Sequence, residues 1–127
     1  MEALLDTSIL SWNIRGAQNS NSKRHLKELI RKYNPTFIAI LETHTPYAHL
    51  SFFWNNLGYT LVHIIEAIGH SGGILLLKQS TTTTSSTILY HNQYSITFSI
   101  QRGNAYTTCT CVYASPTILC APTRGPT

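Results

Sequence analysis

FIAILETH, residues 37 to 44, is the stretch on which the reading of the chain turns. Phe37 to Leu41 are apolar without a break, which suits a strand buried on both faces, because a strand with one wet face would alternate. The run stops on Glu42, with Thr43 and His44 directly behind it. A carboxylate at the end of a buried strand can serve a turn, an ion pair or a metal. What stands beside it in space decides which.

Upstream, TSILSWNI at residues 7–14 is rich in β-branched and aromatic residues and predicts a first strand that ends at Arg15-Gly16. Asn19, Ser20, Asn21 and Ser22 offer N-caps for a helix whose apolar positions Leu26, Leu29, Ile30 and Tyr33 keep the i, i+3, i+4, i+7 spacing. Its other side carries Lys23, Arg24, Lys27, Arg31 and Lys32, either as a solvated face or as a surface toward a phosphate backbone. Pro35 lies just past its end. Strand, helix, strand in this order predicts a right-handed crossover between parallel neighbours.

Parallel pairing brings the carboxyl ends of the two strands, and with them Asn13 and Glu42, to one edge, where open α/β sheets bind ligands. An amide oxygen beside a carboxylate suits a hard cation such as Mg²⁺, which takes one or two carboxylates and keeps several waters. The plainer alternative has Asn13 capping a turn and Glu42 paired with a nearby Lys or Arg. Arg15, next to Asn13, is a better candidate for touching phosphate than the basic helix, and His44 either hydrogen-bonds a phosphate or caps the following turn.

Beyond Glu42 a short helix is expected at residues 48–57, closed by Gly58 as its C′ glycine. Residues 59–65, 74–78, 84–90, 94–101 and 105–113 are then Thr-, Ile- and Tyr-rich runs separated by Gly72-Gly73, His91-Asn92 and Gly103-Asn104, the pattern of antiparallel hairpins. The tail SPTILCAPTRGPT has three prolines and no periodicity and reads as irregular. These limits give a lead over 1–7, a domain over 8–117 and a tail over 118–127.

Composition narrows the chemistry further. At 127 residues with 43% hydrophobic content the chain is the size of one domain with a core, or part of a larger one. The formal charge of +4 arises from scarce acids, five Asp and Glu against nine Lys and Arg, and leans mildly toward polyanions. The acids are Glu2, Asp6, Glu28, Glu42 and Glu66, so a mechanism needing several converging side-chain carboxylates must draw them all from the first half. GHSGG at residues 69–73 matches the G-x-S-x-G elbow of serine hydrolases, but strand-like ILLLK follows where a helix is required, and no acid follows the serine. Cys109 and Cys111, two apart, share one face of a strand and with Cys120 read as free core thiols of a reducing compartment. No signal peptide and no apolar run near the ~20 residues of a membrane span is found, so a soluble protein of the nucleus or cytoplasm is expected.

SWNIRG, LETH, GHSGGILLLK and VYASP, in that order over about residues 8–117, resemble the N-terminal part of the endonuclease/exonuclease/phosphatase family, nearest to the endonuclease domain of plant LINE-type non-LTR retrotransposons. The resemblance implies a two-sheet α/β sandwich that cleaves DNA phosphodiesters with Mg²⁺ or Mn²⁺. By motif, Asn13 resembles the family's first-strand asparagine near the metal and the scissile phosphate, Glu42 its metal-binding glutamate and Tyr113 its phosphate-contacting tyrosine. Gly72-Gly73 resembles a structural hairpin. The family's later catalytic Asp in a D-x-N segment and its C-terminal Asp-His pair have no counterpart in these 127 residues. The expectation is therefore a truncated, catalytically silent domain with open sheet faces and edges through which it self-associates. The alternatives are a non-catalytic DNA-binding remnant, a pseudogene fragment without activity, and, disfavoured by the wording of GHSGG and YASP, a sugar-phosphate phosphatase.

Overall fold

Strand β1 (Ile9–Asn13), helix α1 (Ser20–Tyr33) and strand β2 (Phe37–Leu41) form the expected strand-helix-strand unit, with β1 and β2 parallel. The register runs from Ile9 opposite Phe37 to Asn13 opposite Leu41. This is seen in a computed structural model that describes residues 9–13, 20–41, 51–66, 73–112 and 115–123, without the side chains of 115–119 and 121–123. All five residues of β2 are fully buried, as their unbroken apolarity requires.

α1 turns Leu26 and Ile30 onto the sheet. Tyr33, expected on the same apolar stripe, is instead 55% exposed, and the Lys32 ammonium lies 5.2 Å from its ring centre. The helix ends beside it: Asn34 takes a left-handed backbone (φ 44°) while its N–H donates to the Ile30 carbonyl at 2.7 Å. Asn is one of the few residues that enters this region at small cost. Its side-chain oxygen accepts from Gln79 Nε2 at 2.7 Å, and the Tyr59 hydroxyl donates to the Pro35 carbonyl. The helix-to-strand corner is thus tied to two other strands. Burial raises the Tyr59 phenol above its ordinary pKa, with the Gln79 hydrogen bond opposing, so the hydroxyl stays a donor.

Helix α2 (Ser51–Asn56) follows, and Gly58, with φ 83°, closes it in the left-handed conformation that glycine enters freely. Strands β3 (Tyr59–Ile65) and β4 (Ile74–Gln79) form an antiparallel hairpin, and β4 also pairs antiparallel with β2, giving a first sheet of order β1-β2-β4-β3. Strands β5 (Ser85–Asn92), β6 (Ser95–Arg102), β7 (Ala105–Val112) and β8 (Ser115–Thr123) make a second, antiparallel sheet in sequential order.

Alternation along β2 and β4 divides the interior into two layers. Ile38, Ile40, Leu75 and Leu77 meet Leu26, Trp54 and Tyr59 under the helices. Phe37, Ala39, Leu41, Ile74 and Leu76 meet Ile96, Phe98, Ile100, Cys109 and Cys111 of the second sheet. The fold is a mixed α/β sandwich of two sheets, as the resemblance implies. The expected open apolar face is not found on β6 and β7. There the residues alternating with the core are Thr97, Ser99, Thr108 and Thr110, half-buried, with the Thr97 and Thr110 hydroxyls 2.9 Å apart.

Two expectations at the C-terminal end are corrected. The tail is not irregular from residue 118 on: β8 runs to Thr123, with Pro122 opposite Thr107. Among the described residues β8 is an edge strand, where a proline's missing N–H is tolerated because one side of the strand has no strand partner there. The cysteines are not all free. Cys109 faces Cys120 across the β7–β8 ladder and the two form a disulfide, leaving Cys111 as the free, buried thiol. The pairing was hidden because the tail did not read as a strand.

Burial pushes the Cys111 thiol up to about 11, against weaker opposing backbone hydrogen bonds that include the Ile96 carbonyl. At pH 8 only about one thiol in a thousand is then ionised, so the native chain resists iodoacetamide. Unfolded without reductant it takes up one alkyl group, and after reduction three, counted by intact mass. The folded form holds this proton more tightly than the unfolded one, so stability declines as pH rises from about 9 to about 11. Cys111→Ala shows a shallower decline over that window in denaturant melts.

Candidate functional site

β1 alternates like its neighbours. Leu10 and Trp12 pack under the helices, while Ile9 packs between the sheets. Ser11 and Asn13, in step with Ile9 and opposite Ala39 and Leu41 of the inter-sheet core, share that inner face. Both carry a buried side-chain oxygen, Ser11 Oγ and Asn13 Oδ1, without a hydrogen-bond partner. A buried polar atom left unpaired typically costs about 1–3 kcal/mol, so two in one row on a five-residue strand need an explanation. Both are oxygens at the carboxyl half of a strand whose parallel neighbour ends, in register with Asn13, one residue before Glu42.

Such a donor set fits a hard divalent cation or a ligand carrying hydrogen-bond donors. It does not resemble a soft-metal cage, and no group of three or more His, Cys, Asp or Glu gathers among the described residues. Of the residues singled out from sequence, Asn13 is described and stands where the parallel pairing predicts. Arg15, Glu42, His44 and Tyr113 lie outside the described residues, although β2 and β7 lead directly into Glu42 and Tyr113 along the chain. Ser11 was missed by sequence reasoning. Its only signal was a polar residue two positions before Asn13, hence on the same face of an otherwise apolar strand.

The remaining candidates resolve plainly. Gly73 (φ 101°) opens strand β4, so no helix follows Ser71 and the serine-hydrolase elbow is excluded. The basic helix is largely solvated: Arg24, Lys27, Arg31 and Lys32 are exposed. Lys23 and Lys27 hold their ammonium groups 5.5 and 5.7 Å from the centre of the Phe53 ring on α2. Together with Phe52, Asn56 and Leu57 they border a groove of about 390 Å³.

Two facing sheets with helices against one of them make an α/β sandwich whose parallel strand pair carries unpaired oxygens at its carboxyl end. The match to the endonuclease/exonuclease/phosphatase family extends over residues 10–125, and the chain belongs to that family. Among solved structures it is similar to the human Nocturnin catalytic domain with bound sulfate anion, at 15% identity and a TM-score of 0.45 over 90% of this chain. The chain spans 47% of the length of that structure. No curated protein matches it. Among the described residues no helix is long and apolar enough to cross a membrane.

If the Asn13 oxygen is held unpaired for a ligand, removing it relieves the free chain. Asn13→Leu, of similar volume and apolar, raises stability by about 1 kcal/mol in urea melts without metal. A loss of comparable size instead shows that the amide is structurally satisfied.

Proposed function

We propose that this chain is the N-terminal part of a retrotransposon-type endonuclease domain, nearest to those of plant LINE elements, that acts on DNA phosphodiesters with Mg²⁺ or Mn²⁺. The observation that carries the reading is the buried, unpaired Asn13 oxygen in register with the residue that precedes Glu42. The family match supports the phosphodiester chemistry. The wording of SWNIRG, LETH, GHSGG and VYASP supports the retroelement origin.

In this reading Glu42 holds the metal, whose charge stabilises the scissile phosphate when bound. The Asn13 amide orients the phosphate beside it. Arg15 and His44 bind the DNA backbone, Arg15 through its fork of donors, and the Tyr113 phenol donates to a phosphoryl oxygen. A positioned general base is worth about 10²–10⁴-fold in rate. Assayed by itself, the 127-residue polypeptide supplies no side-chain carboxylate after Glu66 to fill that role. It is silent, whereas a longer chain carrying the later acids would cut.

A second reading, a non-catalytic DNA-binding module, is favoured by the exposed cations of α1 beside Phe52, which is 78% exposed. Self-association through an open sheet edge belongs to the same proposal, although β3 and β5 both carry bulges, a device that blunts edge pairing.

The test is nicking of supercoiled plasmid with Mg²⁺ by the purified chain, beside Glu42→Ala and an EDTA control. The expected result is no nicking above the controls. Nicking lost both with EDTA and in Glu42→Ala upholds the site and overturns the silence of the isolated chain. Salt-sensitive DNA retention that is unchanged by Glu42→Ala and needs no metal supports the binding module instead.

A further inference from the structure

Two strand irregularities converge on one pair of side chains. In β3 the pairing with β4 skips Val62, so that Leu61 faces Leu77 and His63 faces Leu76. Leu77 belongs to the layer under the helices and Leu76 to the layer between the sheets, so the bulge turns His63 inward to the inter-sheet side. Strict alternation would have put it on the helix side. In β5 the pairing with β6 skips Leu89, so that Ile88 faces Phe98, Tyr90 faces Thr97 and His91 faces Ile96. Phe98 and Ile96 are inter-sheet core residues. Here too, a regular strand would have turned His91 outward.

The consequence is a contact between the sheets. β3 and β5 are edge strands of different sheets, and the two imidazoles meet with ring centres 4.5 Å apart and planes inclined at 48°. Nε2 of His63 is buried there without a hydrogen-bond partner, while His91 is exposed and leaves the pair open to solvent. Val62, Ile65 and Ile88 pack on the inner core alongside. Burial, and then His91, push the His63 imidazole below its ordinary pKa.

From this geometry we infer that His63 and His91 form a two-imidazole site for a borderline-soft divalent cation of the Zn²⁺ or Cu²⁺ kind, clamping the first sheet to the second. Neutral imidazole is a preferred ligand of such ions, whereas Mg²⁺ prefers oxygen. Two imidazoles on one ion at a metal–nitrogen distance of about 2.0–2.1 Å bring their ring centres to roughly 4.5 Å at the right angle of tetragonal Cu²⁺ and roughly 5.2 Å at the tetrahedral angle of Zn²⁺, so the separation seen matches the first and needs only a small side-chain movement for the second. Water completes the coordination. The site is built on β3 and β5, not on β1 and β2, and stands whether or not the nuclease reading does.

The test is thermal unfolding of the EDTA-treated, desalted chain with and without excess ZnCl₂, since an ion that binds only the folded state raises Tm. Wild type and Glu42→Ala rise by several degrees, MgCl₂ does not substitute, and His91→Thr, a β-compatible change at an exposed position, abolishes the rise. No rise in the wild type, or the same rise in His91→Thr, overturns the site. The latter means adventitious binding by the other histidines. His63→Phe abolishes the rise as well; should that variant fail to fold, Cu²⁺ paramagnetic resonance decides instead: two nitrogen donors in the wild type and one in His91→Thr support the pair, and an unchanged donor set overturns it.

Discussion

Burial of β2 on both faces is the constraint from which the rest follows. Ile38 and Ile40 serve the layer under the helices, and Phe37, Ala39 and Leu41 serve the layer between the sheets. Each large side chain removed from water contributes about 1.5–3 kcal/mol, so this one strand contributes an amount comparable to the net stability of a small domain. A strand so placed cannot slip by one residue without exchanging its two sets of side chains. Its register with β1 is therefore fixed, and with it the place where the chain leaves the core, at Leu41 just before Glu42.

That fixed register gives the unpaired oxygens of Ser11 and Asn13 their meaning. β1 is an edge strand, where either position could have carried an apolar residue like its neighbours Leu10 and Trp12. Instead its inner face changes from Ile9 to two polar groups along the direction of the chain. Local sacrifice of stability at a sheet's carboxyl edge is the usual mark of a ligand site.

Much of this was legible in the sequence because the signals were periodic. The apolar run of β2, the helical spacing of Leu26 and Ile30, and the turn glycines at 58 and 103 each have one physical reading, and the hairpins from Tyr59 to Val112 fall close to where they were expected. What was not legible depended on partners distant in sequence. Prolines 116 and 122 disguised an edge strand, because proline's effect depends on whether a neighbour needs its N–H. The disulfide required knowing that Cys120 stands opposite Cys109. The bulges at Val62 and Leu89 leave no compositional trace, so the facing of His63 and His91 emerges only once both ladders are known. Ser11 looked like an ordinary strand serine.

The proposed hard-cation site would be built on Asn13 and Glu42. Its most direct test is a Mn²⁺ titration followed by the decrease in the free-ion paramagnetic resonance signal, comparing the wild type with Glu42→Ala and Asn13→Leu. The account predicts one saturable ion in the wild type, lost in Glu42→Ala and weakened in Asn13→Leu. Equal binding by all three proteins, or none by the wild type, would contradict it and leave the two buried oxygens of β1 without a ligand.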